Sequence, residues 1–444
     1  MNQHLNKIIA PDYFVAQFPG GGQRGYATVK LLEWLEKATE LPTHQLFPYV
    51  TTGSVGILIA SALYLPHPEH PNSARMSARQ LATIFPNIAA RTPKPAKFKN
   101  TNSREPFAEA IESFIGHGKL KDFLGTVFFS SHEIGRLSES YIIHGKLVSP
   151  TTGEESYVGD PEKRILDIAF AGTSLPSLFQ AYEDQIDLAF SEVPSETMVK
   201  IQRLFPHDAR GAFVRVGNFR SKTEKSRAHL HSSGYLRQTL SFAITDAVSD
   251  HAYSQTVRFA NTLFNGLVFN LEYEIGSDYP EPPQIMANIT TATQFKRIEV
   301  MSEKFISDNL PLLTQLANAL KTSALERMKI YPETTFGVLP KIQEFPLSEI
   351  KALSQDTKST RHMFSVAAGR LTKELGAIAL YSLNSAFDIA TSEPVRALAD
   401  QIKTVAEKRL SRWGDILLPK NRPKDTEATL SALPPPIAPN QKLL

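Results

Sequence analysis

Two strand–turn–helix patterns near the N-terminus constrain this chain more than any other feature. In the first, the apolar run Tyr13–Phe18 ends in Pro19-Gly20-Gly21-Gly22-Gln23-Arg24-Gly25, and a helix-like run follows over Ala27–Thr39. In the second, the run Leu46–Val50 leads through Thr51-Thr52-Gly53-Ser54-Val55-Gly56 into the apolar run Ile57–Leu65. A short β-prone run closed by Pro-Gly reads as a buried strand. Val29, Leu32, Trp34 and Leu35 recur near helical spacing, with Glu33, Glu36 and Lys37 expected outward. Ile57–Leu65 is apolar on nearly all sides, which predicts a helix enclosed by protein. Strand, helix, strand, helix in this order predicts a layered α/β domain.

The same two turns carry candidate chemistry. A serine at a sharp strand-to-helix turn is the setting of a nucleophile elbow. A glycine-rich turn beside it can aim backbone N–H groups at a developing oxyanion. Each turn has a competing reading. Ser54 before an apolar helix also fits a helix N-cap. The glycine turn resembles a phosphate loop but lacks the Gly-Lys-Ser/Thr ending.

The chain has 444 residues, 42% hydrophobic and 21% charged, enough for more than one globular domain. A net charge of +3 is too mild to point to nucleic acid. The absence of cysteine excludes disulfides, cysteine nucleophiles and thiolate metal sites. It fits a reducing compartment, or export without disulfide formation. Residues 1–11 carry no long apolar segment, so no Sec-type signal is expected. No apolar run reaches membrane-spanning length, so a membrane role would be peripheral.

Further along, Pro66–Pro71 reads as a loop, Ser77–Phe85 as a helix and Thr92–Arg104 as an exposed excursion. Phe107–Phe114 returns to helical spacing, and Thr126–Phe129 is β-prone. Gly145–Asp160 reads as a hairpin or loop. Arg164–Phe179 reads as a helix breaking at Pro176, Ile186–Pro194 as a turn, Ser195–Phe205 as a helix and Ala212–Val216 as a strand. Ala260–Tyr273 and Val300–Leu320 read as helices, as do Met363–Ile389 and Pro394–Leu418. Within the last of these, Ala397–Leu418 has an apolar side and basic residues, which fits a helix packed on the body better than one lying on a membrane. The tail 419–444 is proline-rich and expected to be disordered. His67 and His70 flank prolines, and His229 and His231 are two apart. Neither pair has a third ligand nearby, so no metal site or cofactor is expected. His117 and His132 lie in the first third of the chain.

These landmarks together resemble the patatin family of lipid acyl hydrolases, bacterial type. Gly20-Gly21-Gly22-Gln23-Arg24-Gly25 is similar to the family's Gly-Gly-Gly-x-Arg-Gly. Thr52-Gly53-Ser54-Val55-Gly56 is similar to its Gly-x-Ser-x-Gly. Leu166 to Pro176 resembles the helix that precedes the family's second catalytic motif, and Ile186-Asp187-Leu188-Ala189 stands where Asp-Gly-Gly or Asp-Gly-Ala is usual. Phe213–Gly217 resembles the strand that usually reads Ser-Leu-Gly. The resemblance covers residues 12–230, runs more loosely to 321 and does not extend over 322–444.

The resemblance implies a three-layer α/β/α sandwich over 1–321; the residues beyond it read, from their own pattern, as a C-terminal helical region over 322–418 and the tail 419–444. It implies a Ser–Asp dyad, with Ser54 as nucleophile and Asp187 as its base. Gly20, Gly21, Gly22, Gln23 and Arg24 would form the oxyanion region, with Arg24 holding the loop or a lipid phosphate. Thr52, Gly53 and Gly56 would form the elbow. The implied activity is cleavage of fatty acyl esters of phospholipids or related glycerolipids, of phospholipase A or lysophospholipase type, at a peripheral membrane surface and without metal. Such a protein would be cytoplasmic, or secreted without a Sec signal into a host cell. Some secreted bacterial patatins need a host activator protein, and the extra helical region leaves room for that here. Three positions depart from the family pattern. Pro19 replaces an aspartate, Leu188 a glycine, and Thr52 the first elbow glycine, where a β-branched side chain is expected to crowd the turn. Thr52 and Leu188 motivate the alternative of a catalytically silent patatin-fold binding or effector module.

Overall fold

An apolar run interrupted only by Gln17 needs cover on both faces, and Tyr13–Phe18 has it. It forms strand β1, with all six residues buried, as expected of a central parallel strand. The computed structural model describes residues 10–92, 104–133, 141–174, 179, 181–187, 195–221, 254–275, 292–330 and 342–346, all within the unit Met1–Lys358. β1 pairs in parallel with β2 (Tyr49–Gly53) on one side and β9 (Gly211–Ser221) on the other. Parallel β10 (Val268–Ile275) lies beyond β9. Beyond β2 come parallel β5 (Thr126–Glu133), then antiparallel β6 (Tyr141–Val148) and β7 (Glu155–Val158). The short β8 (Gln185–Ile186) pairs antiparallel with the end of β5.

Helices cover both faces and complete three layers. On one face α1 (Gly25–Thr39), α3 (Val55–Tyr64), α4 (Ala78–Ala90), α5 (Glu105–Ile115), α6 (Ile165–Gly172), α9 (Ala292–Asp308) and α10 (Leu310–Ile330) share a core with Phe14, Ala16, Phe18, Val50 and Phe129. On the other, α7 (Ser195–Gln202) and α8 (254–263) share a smaller core with Tyr13, Val15, Tyr49, Phe128 and Phe213. Every residue of α3 is buried, which accounts for its apolar character on all sides. Burying each large apolar side chain there stabilises the domain by about 1.5–3 kcal/mol.

Several readings from sequence change in the structure. Glu36, expected outward, is buried. Its carboxylate accepts from Thr43 N (2.9 Å), Thr43 Oγ1 (2.7 Å) and Ala78 N (2.8 Å), and so caps the starts of α2 (Thr43–Leu46) and α4. Pro66–Pro71 is not a loop alone: Pro66–His67 (β3) pairs with His70–Ala74 (β4). The run Ala260–Tyr273 is split. Asn265 and Gly266 take left-handed φ values of 50° and 81°, ending α8, and the alternating residues beyond become β10. The run Val300–Leu320 is also divided, at Asn309, just before Pro311 in the first turn of α10. α10 continues through residue 321, and its Arg327 Nη2 donates to Gln45 O at 2.5 Å. The readings for Leu188, most of the turn Ile186–Pro194, His229, His231, the helices after 358 and the tail 419–444 lie outside the described residues.

Candidate active site

Ser54 sits between β2 and α3 with φ 52° and ψ −133°. A non-glycine residue at positive φ is strained by about 1–3 kcal/mol, and the strain turns the side chain out of the strand. Its hydroxyl makes no cap bond to α3. Instead Ser54 Oγ donates to Asp187 Oδ2 at 2.6 Å, across 133 residues. The tightness of the turn explains Gly56. A Cβ there would lie 2.1 Å from Thr52 Oγ1 and 2.3 Å from the carbonyl oxygen of Phe18. The crowding expected at Thr52 does not arise, because Thr52 lies inside β2 opposite Phe18. Its hydroxyl donates to Phe18 O at 3.0 Å, joining the ends of the two strands.

Asp187 is buried and follows β8, which pairs His132 with Ile186 and Glu133 with Gln185. Its backbone N–H donates to Ser174 O at 3.0 Å. Ser174 Oγ in turn accepts from Arg104 Nη2 at 2.7 Å. The Arg104 guanidinium lies over the rings of Phe170, Phe179 and Tyr182, 5.5, 5.1 and 5.4 Å from their centroids. Burial pushes its pKa down to about 10, so it stays charged at pH 7. Ser131 Oγ donates to Gln185 Oε1 at 2.6 Å, fixing β8 from its other end.

The glycine turn lies against the elbow. A Cβ on Gly20 would be 3.0 Å from Ser54 Cβ and 3.7 Å from its Oγ. Gly21 and Gly22 have φ of 135° and 58°, conformations that an L side chain rarely adopts. A Cβ on Gly25 would meet Val55 Cγ1 at 2.8 Å, so the first turns of α1 and α3 touch. Two helix N-termini, each with partial positive charge, therefore converge beside Ser54.

The expected oxyanion residues divide by role. Gly20 borders Ser54, while Gly21 lies against Asn218 and Arg24 and, with Gly22, forms the left-handed part of the turn. The Gln23 side chain points away, to Thr92 Oγ1 (3.0 Å) and Ala89 O (3.4 Å) at the end of α4. Arg24 holds the loop, donating from Nε to Gly21 O (3.1 Å) and from Nη1 to Phe219 O (3.5 Å). His132 is buried on β5, and burial pushes its imidazole down to about 4. His117 is exposed. His67 and His70 stack on Phe345. Among the described residues no group of three or more His, Cys, Asp or Glu side chains is placed to hold a metal, and no helix is long and apolar enough to cross a membrane.

Sequence reading missed Arg104 and Asn218. Asn218 Nδ2 donates to Gly20 O at 2.8 Å. Its one signal is a Gly-Asn pair interrupting the apolar run of β9, a bulge signature.

A mixed sheet between helical layers defines an α/β/α fold, and at one end of that sheet a serine in a strand-to-helix turn is hydrogen-bonded to a buried aspartate. No curated protein matches the chain. Residues 18–191 match the family described as patatin-like phospholipase, and this segment is a patatin-like phospholipase domain, of the lipid acyl hydrolases.

Proposed function

We propose that this protein is a serine-dependent lipid acyl hydrolase of phospholipase A or lysophospholipase type, acting at a peripheral membrane surface. The 2.6 Å hydrogen bond from Ser54 Oγ to Asp187 Oδ2 carries this reading. A serine hydroxyl is a weak nucleophile until a base takes its proton, and a carboxylate at this distance is within transfer range. Ser54 Oγ attacks the ester carbonyl while its proton passes to Asp187. The tetrahedral oxyanion accepts N–H donors from the Gly20–Gly22 turn, each such donor being worth about 3 kcal/mol of transition-state stabilisation. Collapse expels the lysolipid alcohol, which takes the proton back from Asp187. Water, deprotonated by the same carboxylate, then frees the fatty acid from Ser54.

The test is fatty-acid release from mixed phospholipid vesicles by wild type, Ser54→Ala and Asp187→Asn, with and without eukaryotic cell extract. Release falls by about 10³-fold or more in both variants, with melting temperatures near that of wild type. Release only with extract adds a host activator to the reading. Wild type that stays inactive in every condition while folded favours the catalytically silent binding or effector module.

A further inference from the structure

β9 is not a regular strand. Its register to β10 jumps from Val216↔Leu271 to Phe219↔Tyr273, so Gly217 and Asn218 together face Glu272. This is a β-bulge, and bulges re-aim a side chain. Both bulge residues take left-handed φ, 79° at Gly217 and 85° at Asn218. Gly217 is needed for contact, since a Cβ there would lie 2.5 Å from Thr28 Cα in the first turn of α1. Asparagine is among the few residues other than glycine that visit this region readily.

The bulge delivers the Asn218 amide to the glycine turn. Nδ2 donates to Gly20 O at 2.8 Å, and Oδ1 accepts the Phe219 N–H at 2.8 Å. Both ends of the amide are therefore fixed. In a trans peptide the carbonyl of one residue and the N–H of the next point in opposite directions. Holding Gly20 C=O toward Asn218 thus turns the Gly21 N–H to the opposite side of the turn. Arg24 does the same one peptide later, holding Gly21 C=O and so turning the Gly22 N–H away from itself. A Cβ on Gly21 would sit 3.0 Å from Asn218 Nδ2 and 3.1 Å from Arg24 Nε, so the turn has no side chain where the two clamps close.

We infer that Asn218 is a positioning residue for the acyl-transfer site: its amide sets the Gly20–Gly21 peptide plane so that the Gly21 N–H is aimed at the oxyanion formed on Ser54. The inference rests on the serine hydrolase reading above. Asn218 touches neither substrate nor Ser54 and acts through the backbone alone.

Two substitutions separate this role from a structural one. Asn218→Gly keeps the left-handed backbone and removes the donor. Asn218→Asp keeps the acceptor for Phe219 N–H but sets a carboxylate against Gly20 O. A residue that only holds the bulge is replaced better by aspartate, which retains one of its two bonds. A clamp on the peptide plane is replaced better by glycine. Full-length wild type, both variants and Ser54→Ala are assayed on a short-chain acyl ester and on the matching thionoester, whose sulfur is a poorer hydrogen-bond acceptor. The expected result is a kcat loss of about ten- to hundredfold for Asn218→Gly and more for Asn218→Asp, with KM changed less than about twofold. The ester-to-thionoester rate ratio falls along with kcat. Wild-type turnover that depends on Ser54 but survives undiminished in Asn218→Gly, or is better kept in Asn218→Asp, overturns the inference and leaves the hydrolase reading standing. Turnover that persists in Ser54→Ala, or is absent from folded wild type both with and without eukaryotic cell extract, overturns both.

Discussion

The turn from β1 to α1 and the turn from β2 to α3 lie side by side at one end of the sheet, yet they are built in opposite ways. The first has glycine at its sharp positions and is braced by Asn218 reaching in from β9, by Arg24 at its own end on a carbonyl, and by its Gln23 anchored to α4. The second places its one strained φ on Ser54 and is braced by its own strand and helix, through Thr52 and the bare Cα of Gly56. A turn that offers backbone N–H groups must be clear of side chains at those positions, and is then held by side chains at its end and from a neighbouring strand. A turn that offers a hydroxyl must carry the side chain in an unfavourable conformation, and the packing around it must hold that conformation in place.

The comparison is broken most severely at Gly56. Gly56→Ala drives a methyl into Thr52 Oγ1 and the Phe18 carbonyl, and backbone leaves little room to relax. We expect a loss of about 3 kcal/mol, read as a lower urea midpoint at unchanged m-value. Thr52→Val is milder. It removes the bond to Phe18 O while keeping the volume, and should cost about 1–2 kcal/mol in the same measurement. The smallest effect has the opposite sign. Ser54→Gly relieves the left-handed φ and is expected to raise stability by about 1 kcal/mol while abolishing acyl hydrolysis. Calorimetry showing Ser54→Gly less stable than wild type would mean that the bond to Asp187 outweighs the strain.

Much of this arrangement is legible in local sequence. The run Tyr13–Phe18, the periodic α1 and the all-apolar α3 each declare their environment within a dozen residues, and Ser54 is marked by the turn between its strand and helix. Asp187 is readable only by family likeness, since nothing local distinguishes it from other turn aspartates. Asn218 is not readable as a partner of Gly20, because their contact exists only once β9 is laid beside β1. The strand β10 is misread for a different reason. Its apolar residues continue those of α8 without a gap, and only the left-handed pair Asn265-Gly266 separates them. Thr52 looks obstructive in a motif aligned by position. It is accommodated because the register with β1 gives its hydroxyl an acceptor.

The separation of Ser54 from Asp187 by 133 residues, and of Gly20 from Asn218 by 198, has a consequence for the protein's own manufacture. A ribosome delivers the nucleophile and the glycine turn long before it delivers the carboxylate, and the clamp on the turn comes later still. Until residue 187 has been made, Ser54 is present without its hydrogen-bond partner Asp187. On the proposed hydrolase reading, a copy not yet extended past residue 187 would therefore lack acyl hydrolysis by the order of synthesis alone.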